Sequence, residues 1–366
     1  MQMESLATPA LVVDLDVMER NLARAASYAA THGLALRPHV KTHKSPRIGA
    51  RQVQLGAVGL TCATPHEAKV MSSVTSDILV AYPPVGAVRA ERLASLPAHV
   101  KLTVALDSPE AVDQIAAAAK KAGRRVGVYV ELDLGMHRVG VPMTQTAIEL
   151  ARRVQRASSL EFAGIAFYPG HVREPVEGQD AKLLALGAAL GEALHQFEAE
   201  GLHPPAVSGG STPTFWRSHE LKGVTEIRPG TYVYNDRTTA AIGACEWTDC
   251  ALTVLATVVS TAVPGQAVID AGTKSLGREP VRGAPGEGFG QLLGRREVLV
   301  ERMSEEHGVL DLSKSSWRPK VGEQVRVIPN HVCIVVHLND VVYGLRNGVI
   351  ETSWPIEARG RGEVLV

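Results

Sequence analysis

The sequence has few cysteines and few aromatic residues. Four cysteines occur among 366 residues, at positions 62, 245, 250 and 333, and aromatic side chains make up 4% of the chain. Four scattered cysteines are too few for the disulfide framework that small secreted domains need. We therefore expect a reduced, cytoplasmic protein, and we interpret Cys62, Cys245 and Cys250 as small buried apolar residues.

The chain also lacks a charge excess and a long apolar run. Its 38 basic residues balance 38 acidic residues, which gives no electrostatic reason to expect nucleic acid or an anionic membrane as a partner. No apolar run reaches the roughly 20 residues that a membrane-spanning helix requires. The first residues, MQMESLATPALVV, show no basic region followed by an apolar core, so we expect no export signal.

A regular alternation of two patterns fills the first two thirds of the chain. Short apolar runs alternate with helical patterns, and the runs lie at 10–15, 34–39, 57–62, 77–82, 100–106, 125–132, 162–168 and 205–210. Apolar strands that are each followed by a helix indicate a parallel sheet. About eight such units in about 220 residues are typical of an α/β fold of the (β/α)8 TIM-barrel type. An open, doubly wound sheet is the alternative.

The pattern changes after about residue 240. Short β-type runs are broken there by Gly, Pro and Asn, and RNG at 346–348 predicts a hairpin turn. We predict a barrel domain over residues 9–237 and an all-β domain over residues 238–366, with residues 1–8 packing against the second.

Unusual residues recur where the predicted strands end. The segment LRPHVKTHKSP (36–46) places His39 and Lys41 at such an end, and barrel active sites lie at the C-terminal ends of the strands. The small residues of SGGSTPT (208–214) allow backbone N–H groups to approach an oxyanion, and Gly230 offers a second approach. A strand-end lysine and a cup for one phosphate are the two requirements of pyridoxal 5′-phosphate.

Several segments together resemble the D-threonine aldolase and D-serine dehydratase family. They are TPALVVDLDVMERNL, LRPHVKTHKSP, ELDLGMHRVG, FYPGHVR, VSGGSTPT, TEIRPGTYVYNDR and PNHVC. That family belongs to the alanine-racemase-like, fold type III pyridoxal-phosphate enzymes. The resemblance covers nearly the whole chain in the family's order. It implies pyridoxal 5′-phosphate as the cofactor, a small D-amino acid as the substrate and a homodimer.

The resemblance also implies roles for particular residues. Lys41 would be the Schiff-base lysine, and Arg138 would lie on the side of the phenolic oxygen of the cofactor. The predicted cofactor-binding residues are Lys41, His39, Arg138, Tyr168, Ser211, Thr212, Gly230 and Thr231.

The second domain contains a candidate metal motif. His331 and Cys333 in IPNHVCIVVHLND lie two residues apart, which we interpret as one face of a strand. A histidine and a thiolate suit zinc, and an incomplete set of protein ligands leaves positions for water or substrate. The spacing alone leaves a structural role open. The resemblance implies that the pair binds a divalent metal, either Zn, Mn or Mg.

Two reactions on D-3-hydroxy amino acids compete. In an aldol cleavage, a base takes the 3-hydroxyl proton while the Cα–Cβ bond breaks, so D-threonine gives glycine and acetaldehyde. In a dehydration, Lys41 takes the α-proton and the hydroxyl leaves, so D-serine or D-3-hydroxyaspartate gives an oxo acid and ammonia. His171 is the candidate catalytic base, because it follows a predicted strand and histidine titrates near neutrality.

We predict the aldolase on the similarity of FYPGHVR and RPGTYVYNDR, although HVC is the dehydratase-like pattern. Aldolases of the family tend to offer a carboxylate as the second metal ligand, so HVC leaves the dehydratase open and shifts the expected metal toward zinc. A racemase and a non-catalytic cofactor-binding protein are alternatives from other classes, and neither needs the metal ligands.

Overall fold

The computed structural model describes residues 1–281 and 287–360. Its contacts divide the chain into two compact units, which we call the barrel unit and the β unit. The barrel unit comprises Ala25–Val172 and Val176–Gly230, and the β unit comprises Met1–Arg24, Arg173–Pro175 and Thr231–Arg359. The predicted domain bounds at 9–237 and 238–366 remain predictions. Among the described helices, none is long and apolar enough to cross a membrane.

The chain begins with strand β1 (Ala10–Asp14) and helix α1 (Leu15–Thr31). The parallel strands that follow are β2 (Ala35–Leu36), β3 (Leu60–Cys62), β4 (Asp77–Val80), β5 (Lys101–Leu106), β6 (Val126–Glu131), β7 (Leu160–Ala166), β8 (Val207–Gly209) and β9 (Glu226–Ile227). The helices between them are α2 (Pro46–Gln54), α3 (Pro65–Met71), α4 (Ala87–Ala94), α5 (Pro109–Lys121), α6 (Thr144–Arg156) and α7 (Asp180–Ala199). A short 3-10 segment, Phe215–Glu220, takes the place of a helix between β8 and β9.

These parallel strands form a closed barrel. Hydrogen-bonded neighbours follow the order β2, β9, β8, β7, β6, β5, β4, β3. The two ends of that series meet through backbone bonds from Val58 N to Leu36 O (2.9 Å), Thr61 N to Pro38 O (2.8 Å) and Val40 N to Thr61 O (2.9 Å). Closure excludes the open, doubly wound sheet and confirms the predicted barrel.

The sequence determines where the helices of the barrel begin. Helix α3 starts after Thr64, whose hydroxyl accepts a bond from Glu67 N, and helix α5 starts after Ser108, whose hydroxyl accepts one from Ala111 N. Each of these caps is followed by a proline at the first helical position, where the missing N–H costs nothing. The strands before them therefore end at fixed points, and their C-terminal residues are held at one rim of the barrel.

The β unit is built around a second, largely antiparallel sheet. Its further strands are β10 (Leu252–Ser260), β11 (Gln266–Ile269), β12 (Gly290–Leu292), β13 (Arg295–Met303), β14 (Gly308–Asp311), β15 (Gln324–Pro329), β16 (Val341–Arg346) and β17 (Val349–Pro355). Its helices are α8 (Arg237–Ala241), α9 (Thr273–Leu276) and α10 (Val332–Leu338). The strand order is β11, β14, β13, β12, β15, β10, β1, β16, β17, and β11 pairs with β10 as well. Because β10 pairs with both β15 and β11, the six strands β10 to β15 close into a small barrel. This closed sheet confirms the predicted β domain.

Two details of the strand assignment were wrong. The run at 10–15 is not a barrel strand, because β1 pairs antiparallel with β10 and parallel with β16 in the β unit. The eighth barrel strand is Glu226–Ile227, which pairs with β2 and β8. An apolar run shows that a strand is buried, but it does not show which of two sheets the strand joins.

The hairpin predicted at 346–348 is confirmed. Strands β16 and β17 are joined by Asn347 and Gly348, whose φ angles are 51° and 79°. Positive φ at both turn residues is the requirement that Asn-Gly satisfies most readily.

Candidate functional site

Lys41 lies in a tight turn directly after the first strand of the barrel. The N–H groups of His43 and Lys44 donate to Val40 O at 3.1 and 2.7 Å, which closes the turn around Lys41. Lys44 has a φ of 52° and pairs with the buried carboxylate of Glu67. The backbone that carries Lys41 is therefore fixed by hydrogen bonds and by a buried ion pair.

His39 precedes this turn and has a definite protonation state. Its Nδ1 accepts a bond from Lys41 N at 3.4 Å. Burial, followed by the charges of Lys41 and Arg228, holds the pKa of His39 well below its usual range. The ring is thus neutral, with Nδ1 as an acceptor and Nε2–H as a donor.

Tyr168 brings two of the predicted cofactor-binding cations together. Lys41 Nζ lies 5.9 Å from the centre of its ring, and Arg138 Cζ lies 5.0 Å from it. The ring also lies directly against Gly170, where a Cβ would approach Tyr168 Cε1 to 2.2 Å. Glycine at position 170 is therefore a steric requirement of this ring position.

His171 lies over the loop that carries Arg138. A Cβ built on Gly135 would come within 3.1 Å of His171 Cε1 and Nε2, so the imidazole packs on a bare backbone. The loop is held by Asp133 Oδ1, which accepts bonds from Gly135 N at 3.0 Å and His137 N at 2.9 Å. The structure thus places His171 against the loop that carries Arg138.

A glycine-lined cradle follows strands β8 and β9. A Cβ on Gly209 would meet Phe167 Cζ at 2.2 Å, and one on Gly230 would meet Thr42 Oγ1 at 2.9 Å and His39 O at 3.0 Å. Gly210 has a φ of 93°, which favours glycine. Glycine is therefore sterically required at Gly209 and Gly230, in the two segments where the sequence predicted an approach to a phosphate.

The hydroxyls beside this cradle complete the fit to a phosphate group. Thr212 Oγ1 is buried and has no hydrogen-bond partner among residues 1–281 and 287–360, and Ser211 Oγ bonds to Thr214 Oγ1 at 3.1 Å. A buried hydroxyl without a partner is costly unless a ligand satisfies it. The lysine turn, the flanked tyrosine and this cradle together fit pyridoxal 5′-phosphate. Thr231, the remaining predicted residue, begins the β unit.

Arg228 is a residue of the barrel that sequence reasoning missed. It is 7% exposed and donates to Ser208 Oγ at 2.6 Å, to Ser208 O at 3.0 Å and to Phe167 O at 2.9 Å. Burial lowers its pKa, which the nearby Glu131 and Glu226 oppose. Arg228 thereby ties together the strand ends that carry Tyr168 and the cradle. The available signal was an arginine between an isoleucine and a proline in the segment TEIRPG.

The residues that follow strands β3 and β4 line a cavity. Thr64, His66 and Tyr82 line a cavity of about 510 Å³ together with Arg89. Arg89 Cζ lies 5.0 Å from the centre of the Tyr82 ring. We assign this cavity no part in cofactor binding.

The β unit holds His331 and Cys333, but not on a strand as predicted. Strand β15 ends at Pro329, His331 caps helix α10 with φ −147° and ψ 112°, and Cys333 lies in the first turn of that helix. The run VCIVVHL is rich in β-branched residues, and a short apolar run does not distinguish a strand from a buried helix. The two side chains nevertheless interact, because Cys333 raises the pKa of the His331 imidazole.

Asp236 is the second residue that sequence reasoning missed. Its buried carboxylate pairs with His331 Nδ1 at 2.9 Å and accepts a bond from Val332 N at 3.2 Å. Burial lowers the pKa of His331, but Cys333 and Asp236 outweigh burial and hold it well above the usual range. The surroundings of His331 therefore favour the protonated, positively charged form of its imidazole. The only signal in the sequence was an acidic residue after an apolar segment in YVYND.

The His331 and Cys333 pair fits a divalent metal by its donors. With Nδ1 held by a carboxylate, His331 presents Nε2, and this arrangement of carboxylate and histidine is common at zinc sites. No cluster of three or more His, Cys, Asp or Glu ligands occurs in residues 1–281 and 287–360. A metal held by this pair would therefore keep positions open for water or substrate.

Comparisons with known proteins give the family. Residues 13–238 match the model of the alanine racemase N-terminal domain, and residues 251–345 match that of a putative serine dehydratase domain. The fold and the lysine turn define the class of alanine-racemase-like proteins, and membership of this class implies pyridoxal 5′-phosphate. Within it, the chain belongs to the D-threonine aldolase and D-serine dehydratase family, as the sequence segments predicted.

The relatives carry out two kinds of reaction. The chain is 34% identical to a 3-hydroxy-D-aspartate aldolase of Paracoccus denitrificans, over 99% of this chain and 94% of the relative. It is 36% identical to a D-threo-3-hydroxyaspartate dehydratase of Delftia sp., over 90% and 91% of the two chains. Among solved structures, a D-threonine aldolase from Filomicrobium marinum matches with a TM-score of 0.90 and 33% identity, over 98% and 97%.

Proposed function

We propose that this protein is a lyase that uses pyridoxal 5′-phosphate and a divalent metal to cleave D-3-hydroxy amino acids, with D-threonine as substrate and glycine and acetaldehyde as products. One observation carries the proposal. A lysine fixed in a strand-end turn lies 5.9 Å from a tyrosine ring that Arg138 also flanks. The family relatives that act on D-3-hydroxy amino acids support the substrate class.

The residues of the barrel unit would bind and orient the substrate and the cofactor. Thr212, Ser211 and the bare backbone at Gly230 would hold the phosphate group, and Tyr168 would lie against the ring. When bound, the cofactor supplies an electron sink for the bond that breaks at Cα. In the aldol direction, His171 would accept the proton of the 3-hydroxyl group and release it to solvent, and Lys41, protonated from solvent, would donate a proton to Cα of glycine.

His331 and Cys333 would hold the metal, with Asp236 orienting the imidazole. The metal supplies Lewis acidity to the 3-hydroxyl oxygen. We propose zinc, because a thiolate and an imidazole are softer donors than the oxygen ligands that Mg and Mn prefer.

A second candidate function follows from Cys333. A thiolate at this position is the dehydratase-like pattern in the family, so dehydration of D-serine or D-3-hydroxyaspartate is the alternative. In that direction the Lys41 amine would take the α-proton, and the hydroxyl group would leave with the help of the metal.

Product analysis distinguishes these functions. Zinc-loaded enzyme is incubated with D-threonine, D-serine and D-3-hydroxyaspartate, and glycine, aldehyde, oxo acid and ammonia are measured. We expect equal amounts of glycine and acetaldehyde from D-threonine, and no turnover of L-threonine. Oxo acid and ammonia as the main products would establish the dehydratase, and racemisation of D-alanine without lyase products would refute both.

A further inference from the structure

The cavity that follows strands β3 and β4 has no role in the reaction proposed above. It has a volume of about 510 Å³ and is lined by residues 63–66, Tyr82, residues 85–89 and Arg92. This volume falls within the range of about 300–1,000 Å³ that is typical of small-molecule sites. Within the described chain, none of the residues predicted to bind the cofactor belongs to this lining. The cavity is therefore a space of its own in the barrel unit.

The ionised side chains that line the cavity are basic. Arg89 and Arg92 are among its lining residues, and no Asp or Glu side chain lines it within residues 1–281 and 287–360. The acidic residues next to the lining in sequence, Glu67 and Glu91, pair with lysine side chains instead. Guanidinium groups beside a concave space give it a positive potential, which attracts anions. The cavity therefore favours an anionic ligand.

Arg89 is held in a position from which it can bind such a ligand. Its Cζ lies over the Tyr82 ring, 5.0 Å from the ring centre, and its NH1 group donates to Val85 O at 3.3 Å. Among the described residues, this is the one hydrogen bond of a side chain that has five N–H donors. The backbone before helix α4 is fixed as well, because Gly86 N donates to Gln114 Oε1 at 2.6 Å. The remaining donors form a planar fork that matches a carboxylate.

Apolar side chains beside the arginines set a second requirement for the ligand. Tyr82, Val85 and Val88 are all exposed, and all three line this cavity. Exposed apolar residues that are scattered singly are ordinary, whereas a group of them on one surface marks a binding site. An inorganic anion would leave these side chains in water. An organic anion with an apolar body would cover them, which is favourable.

We propose that this cavity is a second ligand-binding site and that it takes a small organic carboxylate with an apolar body. Arg89 binds the carboxylate group through its fork of N–H donors, and Arg92 adds positive charge. Val85 and Val88 pack against the apolar part of the ligand. The site involves neither the cofactor nor the metal, so it does not depend on the proposed function.

The wall of this cavity also supports the turn that carries Lys41. Thr64 Oγ1 accepts a bond from Glu67 N at 3.1 Å, and Ala63 N donates to Glu67 Oε2 at 2.6 Å. Glu67 pairs in turn with Lys44, whose backbone N–H closes the turn around Lys41. A ligand that packs on Ala63 and Thr64 should therefore reduce local opening of the lysine turn.

Calorimetric titration tests the site. Protein loaded with pyridoxal 5′-phosphate is titrated with benzoate, with its neutral analogue benzamide and with inorganic phosphate. We expect one benzoate per chain, and binding of benzamide and phosphate that is at least about tenfold weaker, because each lacks one of the two parts that the cavity recognises. Equal binding of the three probes, or no binding of benzoate, would overturn the proposal. If the protein takes up no cofactor, the proposed function fails, while titration of the cofactor-free protein still decides this site.

A pair of variants locates the bound anion. Arg89→Gln removes the guanidinium group and should raise the dissociation constant of benzoate about tenfold, the effect of losing a hydrogen bond between charged groups. Arg156→Gln is the matched control, since Arg156 is exposed in the last turn of helix α6 in the same unit, and it should leave benzoate binding unchanged. Release of the cofactor by benzoate, with wild-type affinity in Arg89→Gln, would place benzoate in the cofactor site and contradict the proposal.

A second copy of this chain is the other occupant that exposed apolar residues would suit. Val88→Asp places a negative charge in the cavity, so it should weaken benzoate binding and leave the sedimentation coefficient of the protein unchanged. A changed sedimentation coefficient in Val88→Asp, together with no binding of benzoate to the wild type, would show that this face is an interface between copies, and the ligand site would be refuted.

Hydrogen exchange tests the connection to the lysine turn. Mass spectrometry of peptides that cover residues 61–71 and 40–44 should show slower exchange when benzoate is bound to the wild type. Arg89→Gln at the same benzoate concentration should show a smaller effect. Unchanged exchange at 61–71 with benzoate bound would exclude packing on Ala63 and Thr64. Slower exchange at 61–71 alone would support the site and refute its connection to Lys41.

Discussion

Asp236 shows how one side chain can serve local structure and chemistry together. Its Oδ1 accepts a bond from Thr239 N at 2.8 Å, which caps helix α8, and its Oδ2 lies 2.9 Å from His331 Nδ1. The side chain has no exposed surface. Because the carboxylate is fixed by the cap, the orientation of His331 is fixed with it.

The variant Asp236→Asn separates these two roles. Asparagine keeps the oxygen that caps the helix, but it removes the negative charge beside His331. We therefore expect a folded protein whose zinc dissociation constant rises about 10- to 100-fold, measured by competition with a chromogenic chelator. Asp311→Asn is the matched control, since Asp311 caps a turn of the same unit at Ser313 N, and it should leave zinc binding unchanged. Wild-type affinity in Asp236→Asn would contradict this role.

His43 makes the stability of the barrel depend on pH. Its ring is buried, pairs with Gln52 Oε1 at 3.2 Å and accepts from Ser45 N at 3.1 Å. Burial lowers its pKa to about 3, whereas an unfolded histidine titrates near about 6.5. Between these values the unfolded chain binds the extra proton, so stability is lost as the pH falls below about 6.5.

Urea unfolding at several pH values tests this contribution. The variant His43→Gln cannot take up the proton, so its stability should fall less steeply with pH than that of the wild type. The difference in slope should approach about 1.4 kcal/mol per pH unit in the window between the two pKa values. Identical slopes for the two proteins would show that His43 is protonated in the folded state.

At the scale of elements, the turn Val40–Lys44 is the structure that positions Lys41. Lys44 is 8% exposed and Glu67 is 1% exposed, and the two side chains form a buried ion pair. Glu67 Oε2 also accepts a bond from Ala63 N at 2.6 Å. The pair thus connects the lysine turn to the end of strand β3.

Removing one charge of this pair should destabilise the barrel. Glu67→Gln leaves the ammonium group of Lys44 buried without a counter-charge, which costs about 3–5 kcal/mol and should lower cofactor occupancy at Lys41. The double variant Lys44→Met/Glu67→Gln removes both charges and should recover most of the stability. Glu91→Gln removes the partner of Lys121 in an exposed pair and should leave the unfolding midpoint unchanged. Equal midpoints for Glu67→Gln and the wild type would refute the role of the pair.

The sequence predicted the features that depend on local patterns and missed those that depend on long-range packing. Lys41, Tyr168 and Arg138 follow apolar strands whose ends are visible in the sequence, and the structure brings them together. The partner strand of β1 and the helix at HVC depend on long-range packing, which short apolar runs do not encode. Arg228 and Asp236 act through residues distant in sequence, so no local pattern indicated them.

At the scale of the whole molecule, the two proposed functional groups belong to different units. Lys41 and its supporting ion pair lie in the barrel unit, and His331, Cys333 and Asp236 lie in the β unit. The supporting bonds described above for each group stay within its own unit. Groups without shared partners contribute independently, so the protein should load the cofactor and the metal independently, although turnover requires both.

Two variants test this independence. Lys41→Ala should form no borohydride-stable adduct with the cofactor, but it should bind zinc with an affinity within about twofold of the wild type, which is less than about 0.5 kcal/mol. His331→Ala should retain the adduct and lose zinc affinity by at least about tenfold, because the loss of support around a ligand alone has an effect of that size. Mass spectrometry after borohydride measures the first quantity, and chelator competition measures the second. Loss of the cofactor adduct in His331→Ala, with the fold intact by circular dichroism, would show that metal and cofactor binding are coupled.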